Sequence, residues 1–182
     1  MNQPNTLSEK TLQTDVPTGP PTCALAEAGK YLTFRLCEET FGLPILKVQE
    51  IIGMMPVTAV PRVPSYVRGV INLRGKVIPV IDLRLKFGLE GKEDTTRTCI
   101  IVLQVAAGRG NVVMGTIVDE VSEVVNVAQN QIEPAPSFGA SLDTEFILGM
   151  GKIGDKVVML LDVDRVLSAG EIATLNRLET SV

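Results

Sequence analysis

The sequence predicts an all-β fold of two small closed barrels, and three observations carry that prediction. Short apolar runs of strand length recur at regular spacing, about five to each half of the chain. The hairpin pattern that frames these runs occurs twice. Neither half alternates its strands with helical patterns, as a parallel α/β fold requires.

The repeat can be read residue by residue. Gly69, Leu73, Lys76, Val77 and Asp82 have counterparts in Gly149, Ile153, Lys156, Val157 and Asp162, each 80 positions later (149 minus 69, 162 minus 82). Upstream, Gly42, Val48, Glu50 and Ile51 match Gly115, Val121, Glu123 and Val124, each 73 positions later. One longer loop in the second copy, placed at residues 139–144, reconciles the two registers. The expected division is a tail over 1–29, barrels over about 30–95 and 96–170, and a C-terminal helix and tail over 171–182. Phe34, Ile45, Val77 and Ile81 are expected in one core, and Ile101, Val118, Val157 and Leu161 in the other.

In chain order, residues 1–29 are rich in Thr, Pro and Gln with little periodic apolar pattern, the composition of a disordered tail. Leu32, Phe34 and Leu36 alternate with Tyr31, Thr33 and Arg35, as a half-buried strand does. A polar turn over 38–40 leads to a second strand over 41–45, and Val48, Ile51 and Ile52 suit either a short strand or a helical turn. Three prolines at 56, 61 and 64 mark an irregular crossing. Then comes the central hairpin over 66–83, reversing at Arg74-Gly75, where glycine supplies the left-handed backbone. Pro79 in its second strand is expected at an edge or bulge, and Asp82 caps a helical turn closed by Gly88. Residues 91–96 read as a charged linker.

The second copy repeats this plan. Residues 98–105 form a nearly continuous apolar strand, 108–111 a turn, 112–118 its partner, and 156–161 the last strand. Ser168 followed by Glu171 has the form of a capping box opening the C-terminal helix.

Composition excludes several kinds of chemistry. The chain has no histidine, which removes the commonest general base and metal ligand. Cys23, Cys37 and Cys99 show neither zinc spacing nor a disulfide framework, so no metal site and no cofactor are expected. No serine-hydrolase elbow or phosphate loop is present, and the carboxylates are scattered, so no catalytic residue is assigned. A net charge of −4, a pI near 5.0 and seven aromatics oppose the runner-up reading, a nucleic-acid-binding barrel. No basic start precedes an apolar run and no apolar segment reaches a membrane-spanning length, so a soluble, cytoplasmic protein is expected.

The residues also carry a resemblance. Leu46-Lys47-Val48-Gln49-Glu50-Ile51, then Asn72-Leu73-Arg74-Gly75 leading into Ile78-Pro79-Val80-Ile81-Asp82-Leu83-Arg84, and the stretch from Gly115 through Val124 resemble the CheW family of bacterial chemotaxis coupling proteins. The resemblance spans about residues 31–178 and implies two five-stranded SH3-like barrels. It implies a non-catalytic adaptor that links transmembrane chemoreceptors to the regulatory domain of a histidine kinase, cytoplasmic and recruited to membrane receptor arrays. A paralogous receptor-kinase pathway with twitching or another non-flagellar output is the alternative. Carried over by position, Val48, Gly69, Asn72, Arg74, Gly75 and Val121 would bind the receptor, and Glu50 and Ile51 the kinase.

Each of these residues also has a structural reading. Gly69 and Gly75 suit turns and bulges, Val48 and Val121 recur in both copies and suit a core, and Glu50 recurs as Glu123. Arg74 stands apart, because the second copy builds the same hairpin with Gly154.

Overall fold

A computed structural model describes residues 26–108, 110–136 and 145–180, with side chains to residue 177. Its strands are β1 (Gly29–Leu36), β2 (Glu39–Pro44), β3 (Val48–Gly53), β4 (Val67–Leu73), β5 (Lys76–Asp82), β6 (Cys99–Ala107), β7 (Gly110–Val118), β8 (Glu120–Val127), β9 (Ile132–Glu133), β10 (Ile147–Ile153) and β11 (Lys156–Leu161). Helix α1 (Leu83–Lys86) follows β5, and α2 (Val163–Val166) and α3 (Ala169–Thr180) follow β11.

The strands form two mixed sheets, β8-β1-β2-β11-β10-β9 in barrel 1 and β3-β6-β7-β5-β4 in barrel 2. The chain leaving β3 crosses to the far edge of barrel 2, where Thr58 exchanges two backbone hydrogen bonds with Val70 of β4, at 2.8 and 2.9 Å. In barrel 1 the chain leaving β8 does the same through β9, which pairs with β10. Both sheets are thereby the SH3-like, five-stranded barrels expected, each with a closing segment.

The division at residue 95 does not hold. Barrel 1 joins the first copy's β1 and β2 to the second copy's β8, β10 and β11, and barrel 2 joins the second copy's β6 and β7 to β3, β4 and β5. Each copy lends its opening hairpin to the other. The exchange is reciprocal in register, for Gly42 of β2 pairs with Leu160 of β11 while Gly115 of β7 pairs with Val80 of β5. Both sites are crowded, since an added Cβ would lie 3.0 Å from the Leu160 side chain in one and 2.7 Å from that of Ile100 in the other, and a larger residue would have to displace them.

The exchange also corrects the expected cores. Phe34, Ile81, Ile101, Val118 and Leu161 lie in one cluster with Ile45 at its rim, shared by both barrels. Val77 is only half-buried and Val157 is exposed. Ile71, Ile78, Val80, Ile100, Val102 and Ile117 form a second cluster within barrel 2, and Ala26, Tyr31, Val127, Val158 and Leu160 a third within barrel 1. Along β6, Ile100 and Val102 face one cluster while Ile101, Leu103 and Val105 face the other. Burial on both faces explains the unbroken apolar run there. A row of aromatic rings, Phe34, Phe41, Phe87 and Phe146, with centroids 5.9, 5.6 and 4.7 Å apart, runs through the shared cluster.

Three smaller expectations change. The expected tail lies outside the described residues up to position 25, but 26–29 belong to the fold: Ala26 is buried and its N–H donates to the Leu148 carbonyl. Pro79 is buried in β5, between β4 and β7, rather than at an edge or bulge. It is tolerated because its partner Val70 directs both backbone groups to Thr58 and asks no donor of it. The segment at Val48 is a strand, and the first turn lies at Cys37 and Glu38, one residue earlier than expected. The longer loop of the second copy lies outside the described residues. The caps are as expected: Asp82 accepts from the Arg84 N–H and Asp162 from the Asp164 N–H, and Ser168 and Glu171 exchange hydrogen bonds at the start of α3.

Candidate functional site

The β4–β5 hairpin reverses through two residues, Arg74 at φ 53 and Gly75 at φ 85. Two consecutive left-handed residues make a type I′ turn, whose twist matches the flanking strands. The Asn72 carboxamide oxygen accepts from the Gly75 N–H at 2.8 Å and ties the turn to its strand. Glycine is at ease there; arginine is not, since an L-residue in this region costs about 1 kcal/mol. The fold therefore holds a strained arginine where its second copy holds Gly154 at φ 59.

The Arg74 side chain is 77% exposed and forks onto Glu50 of β3, with Nη1 to Oε1 at 3.2 Å and Nη2 to Oε2 at 2.9 Å. Ile51 follows Glu50 on β3 and is 44% exposed, although its backbone pairs with the buried Ile101. The structure thus brings Glu50, Asn72, Arg74 and Gly75 together on barrel 2, whereas Ile51, the next residue of β3, points to the opposite face of its strand. The residues that the resemblance divides between two partners are joined by the Arg74–Glu50 ion pair.

Val48, Val121 and Gly69 are placed differently. Val48 on β3 and Val121 on β8 are equivalent positions in the two copies, and both pack half-buried against the shared cluster. Gly69 is buried at φ 139 where β4 bulges against β5, and a Cβ there would lie 2.0 Å from the Thr58 carbonyl oxygen. Its requirement for glycine comes from the barrel closure.

Sequence reasoning passed over the most heavily bonded side chain. Arg84 in α1 is fully buried. It donates from Nε and Nη2 to the two Asp82 oxygens at 2.9 and 2.7 Å, from Nη1 to Asp119 at 2.9 Å and from Nη2 to Asp94 at 3.3 Å. Arg68 bridges Asp82 and Asp94 from outside. The Asp82 hydrogen bonds outweigh desolvation, so the Arg84 guanidinium is held charged even more firmly than usual. Asp119 stands where the chain crosses from β7 in barrel 2 to β8 in barrel 1, and its other oxygen accepts from the Cys37 N–H at 2.6 Å. The signal available in the sequence was the repeat, which sets Asp164 at the position of Arg84 (164 minus 84 is 80).

The chemistry on offer is recognition by charge and apolar surface. Among the described residues no group of His, Cys, Asp and Glu is arranged to hold a metal ion. Burial pushes the Cys99 thiol up, which keeps it protonated and a poor nucleophile. No helix of the described residues is long and apolar enough to cross a membrane.

Comparison with known proteins agrees with this architecture. The CheW-like domain family matches residues 30–171. The chain is 40% identical over 152 residues to the chemotaxis protein CheW of Klebsiella aerogenes, covering 84% of this chain and 89% of that one. It is 35% identical over 155 residues to the chemotaxis protein CheW of Rhizobium meliloti, covering 81% and 97%. The crystal structure of the scaffolding protein TtCheW from Thermoanaerobacter tengcongensis superimposes with a TM-score of 0.69 at 35% identity, over 79% of this chain and 95% of that one. The match runs the length of both barrels, and the chain belongs to the CheW family of non-catalytic chemotaxis scaffolding proteins.

Proposed function

We propose that this protein is the adaptor that couples the cytoplasmic tips of transmembrane chemoreceptors to the regulatory domain of a chemotaxis histidine kinase, acting in the cytoplasm at membrane receptor arrays. The observation that carries the proposal is the Arg74–Glu50 fork: a strained, exposed arginine, replaced by Gly154 in the second copy, held in one orientation by Glu50. Backbone strain kept at an exposed charged residue is a mark of function. In this reading Asn72, Arg74 and Gly75 present the receptor contact and Glu50 and Ile51 the kinase contact. Val48, Gly69 and Val121 serve the receptor contact by shaping the barrels behind it.

The test is binding of the purified chain to a receptor cytoplasmic tip and to a kinase regulatory domain, for wild type, Arg74→Gly and Arg74→Glu. The expected result is weaker receptor binding in both variants, about thirtyfold if Arg74 is a hot spot worth roughly 2 kcal/mol, with both chains still folded and melting within a few degrees of wild type. Full binding to both partners by Arg74→Glu overturns the assignment.

A further inference from the structure

The two crossings between the barrels carry ion pairs of opposite polarity. Where β7 leads into β8, the crossing residue is the anion Asp119 and the helical turn that meets it supplies the cation Arg84, at 2.9 Å. Where β2 leads into β3, the crossing residue is the cation Lys47 and the helical turn that meets it supplies the anion Asp164, at 2.6 Å. Arg84 and Asp164 are equivalent in the repeat, each two residues after a capping aspartate. Lys47 stands one residue past the position equivalent to Asp119 (119 minus 73 is 46).

Each pair also joins the two copies: Arg84 belongs to the first and Asp119 to the second, Lys47 to the first and Asp164 to the second. If each copy instead kept its own opening hairpin, Arg84 would face Lys47 and Asp164 would face Asp119. Both contacts would set like charges together, in one case against the buried Arg84. We infer that the reversed polarity of these two pairs selects the exchanged arrangement, in which each copy completes the other's barrel, over the arrangement in which each copy closes on itself. The glycines of the sheet offer no such choice, because β2 and β7 present Gly42 and Gly115 at equivalent positions to β11 and β5. Repulsion against the wrong partner is an effective source of specificity when attraction to the right one is shared.

The experiment separates the bond from the selection. Lys47→Glu combined with Asp164→Lys keeps an ion pair at the first crossing. It also makes both self-closed contacts attractive, since the carboxylate introduced at position 47 would then face Arg84 and the ammonium introduced at position 164 would face Asp119. Spin labels on an unnatural ketone side chain at Glu39 and Lys156, which leaves the cysteines untouched, report the exchange, because β2 lies against β11 only when hairpins are exchanged. After refolding from denaturant, wild type and the polarity-preserving Lys47→Arg with Asp164→Glu should each give one short distance. The polarity-swapped chain should give a second, longer population or aggregate where the polarity-preserving chain does not. A single short distance at wild-type yield for the polarity-swapped chain overturns the inference, and so does a second population in the polarity-preserving chain.

Discussion

Arg74 meets Glu50 with both terminal guanidinium nitrogens, Nη2 at 2.9 Å and Nη1 at 3.2 Å, from a backbone conformation that favours glycine. An ion pair at this exposure contributes about 0.5 kcal/mol, less than the strain costs. Arg74→Gly should therefore be as stable as wild type or more stable by about 0.5 kcal/mol. Arg74→Ala, which keeps the strain and loses the pair, should be less stable than Arg74→Gly by about 1 kcal/mol. Urea unfolding of the three chains checks the order, and Arg74→Ala at or above Arg74→Gly would show that the turn is unstrained.

Gly69 answers differently to the same treatment. A methyl there meets the Thr58 carbonyl oxygen at 2.0 Å, and φ 139 is closed to alanine, so Gly69→Ala must break the bridge that closes barrel 2. A loss of roughly 3 kcal/mol or more is expected, against a smaller loss for Gly149→Ala, whose Cβ would lie 2.8 Å from the Glu133 carbonyl oxygen. Any binding defect of Gly69→Ala should then track its unfolding. Normal melting with lost binding would return Gly69 to the contact surface.

How much was legible follows from what periodicity reports. Alternation along β1 and the apolar run of β6 show which faces are buried, but they carry no record of which strand covers them. The repeat at 80 and 73 positions was plain in Gly69, Gly149, Gly42 and Gly115, and so were the caps at Asp82 and Asp162. The hairpin exchange was hidden because equivalent hairpins carry equivalent patterns. Arg84 was hidden because arginine is usually exposed and periodicity does not report that Asp94 and Asp119 fold back onto it. Arg74 was visible because a difference between copies can be read without knowing the fold, whereas its partner Glu50, which recurs as Glu123, was given a role by the resemblance alone.

The buried Arg84 network should be costly to interrupt on one side. Arg84→Met leaves Asp82, itself 1% exposed, with only the outer Arg68 for a charged partner, and strands the Asp119 oxygen that joined the barrels. Removing one member of a buried ion cluster costs about 3–5 kcal/mol. Arg68→Met removes a one-third-exposed bridge and should cost under about 1 kcal/mol. Chemical denaturation of both variants tests this, and equal losses would mean that the network is solvent-screened throughout.

The final prediction concerns acid. Burial alone would push the Glu171 carboxyl up, but hydrogen bonds from Lys86, Tyr66 and Ser168 outweigh it and draw the group from 4.5 down to about 2. These bonds fasten α3 to the rest of the chain: Lys86 lies in α1, Tyr66 precedes β4, and Ile172 and Leu175 of α3 are buried in the shared cluster. A carboxyl whose folded value is depressed lends stability that is fully present above its unfolded value and is lost as pH falls through the folded one. The window is therefore about pH 4.5 down to about 2, and the amount at stake is at most about 3.5 kcal/mol. Glu171→Gln removes that titration, so its unfolding free energy should lie below wild type at pH 7 and converge with it as pH falls through the window. Parallel curves for the two chains from pH 7 to 2.5 would show that Glu171 does not hold the helix by its charge.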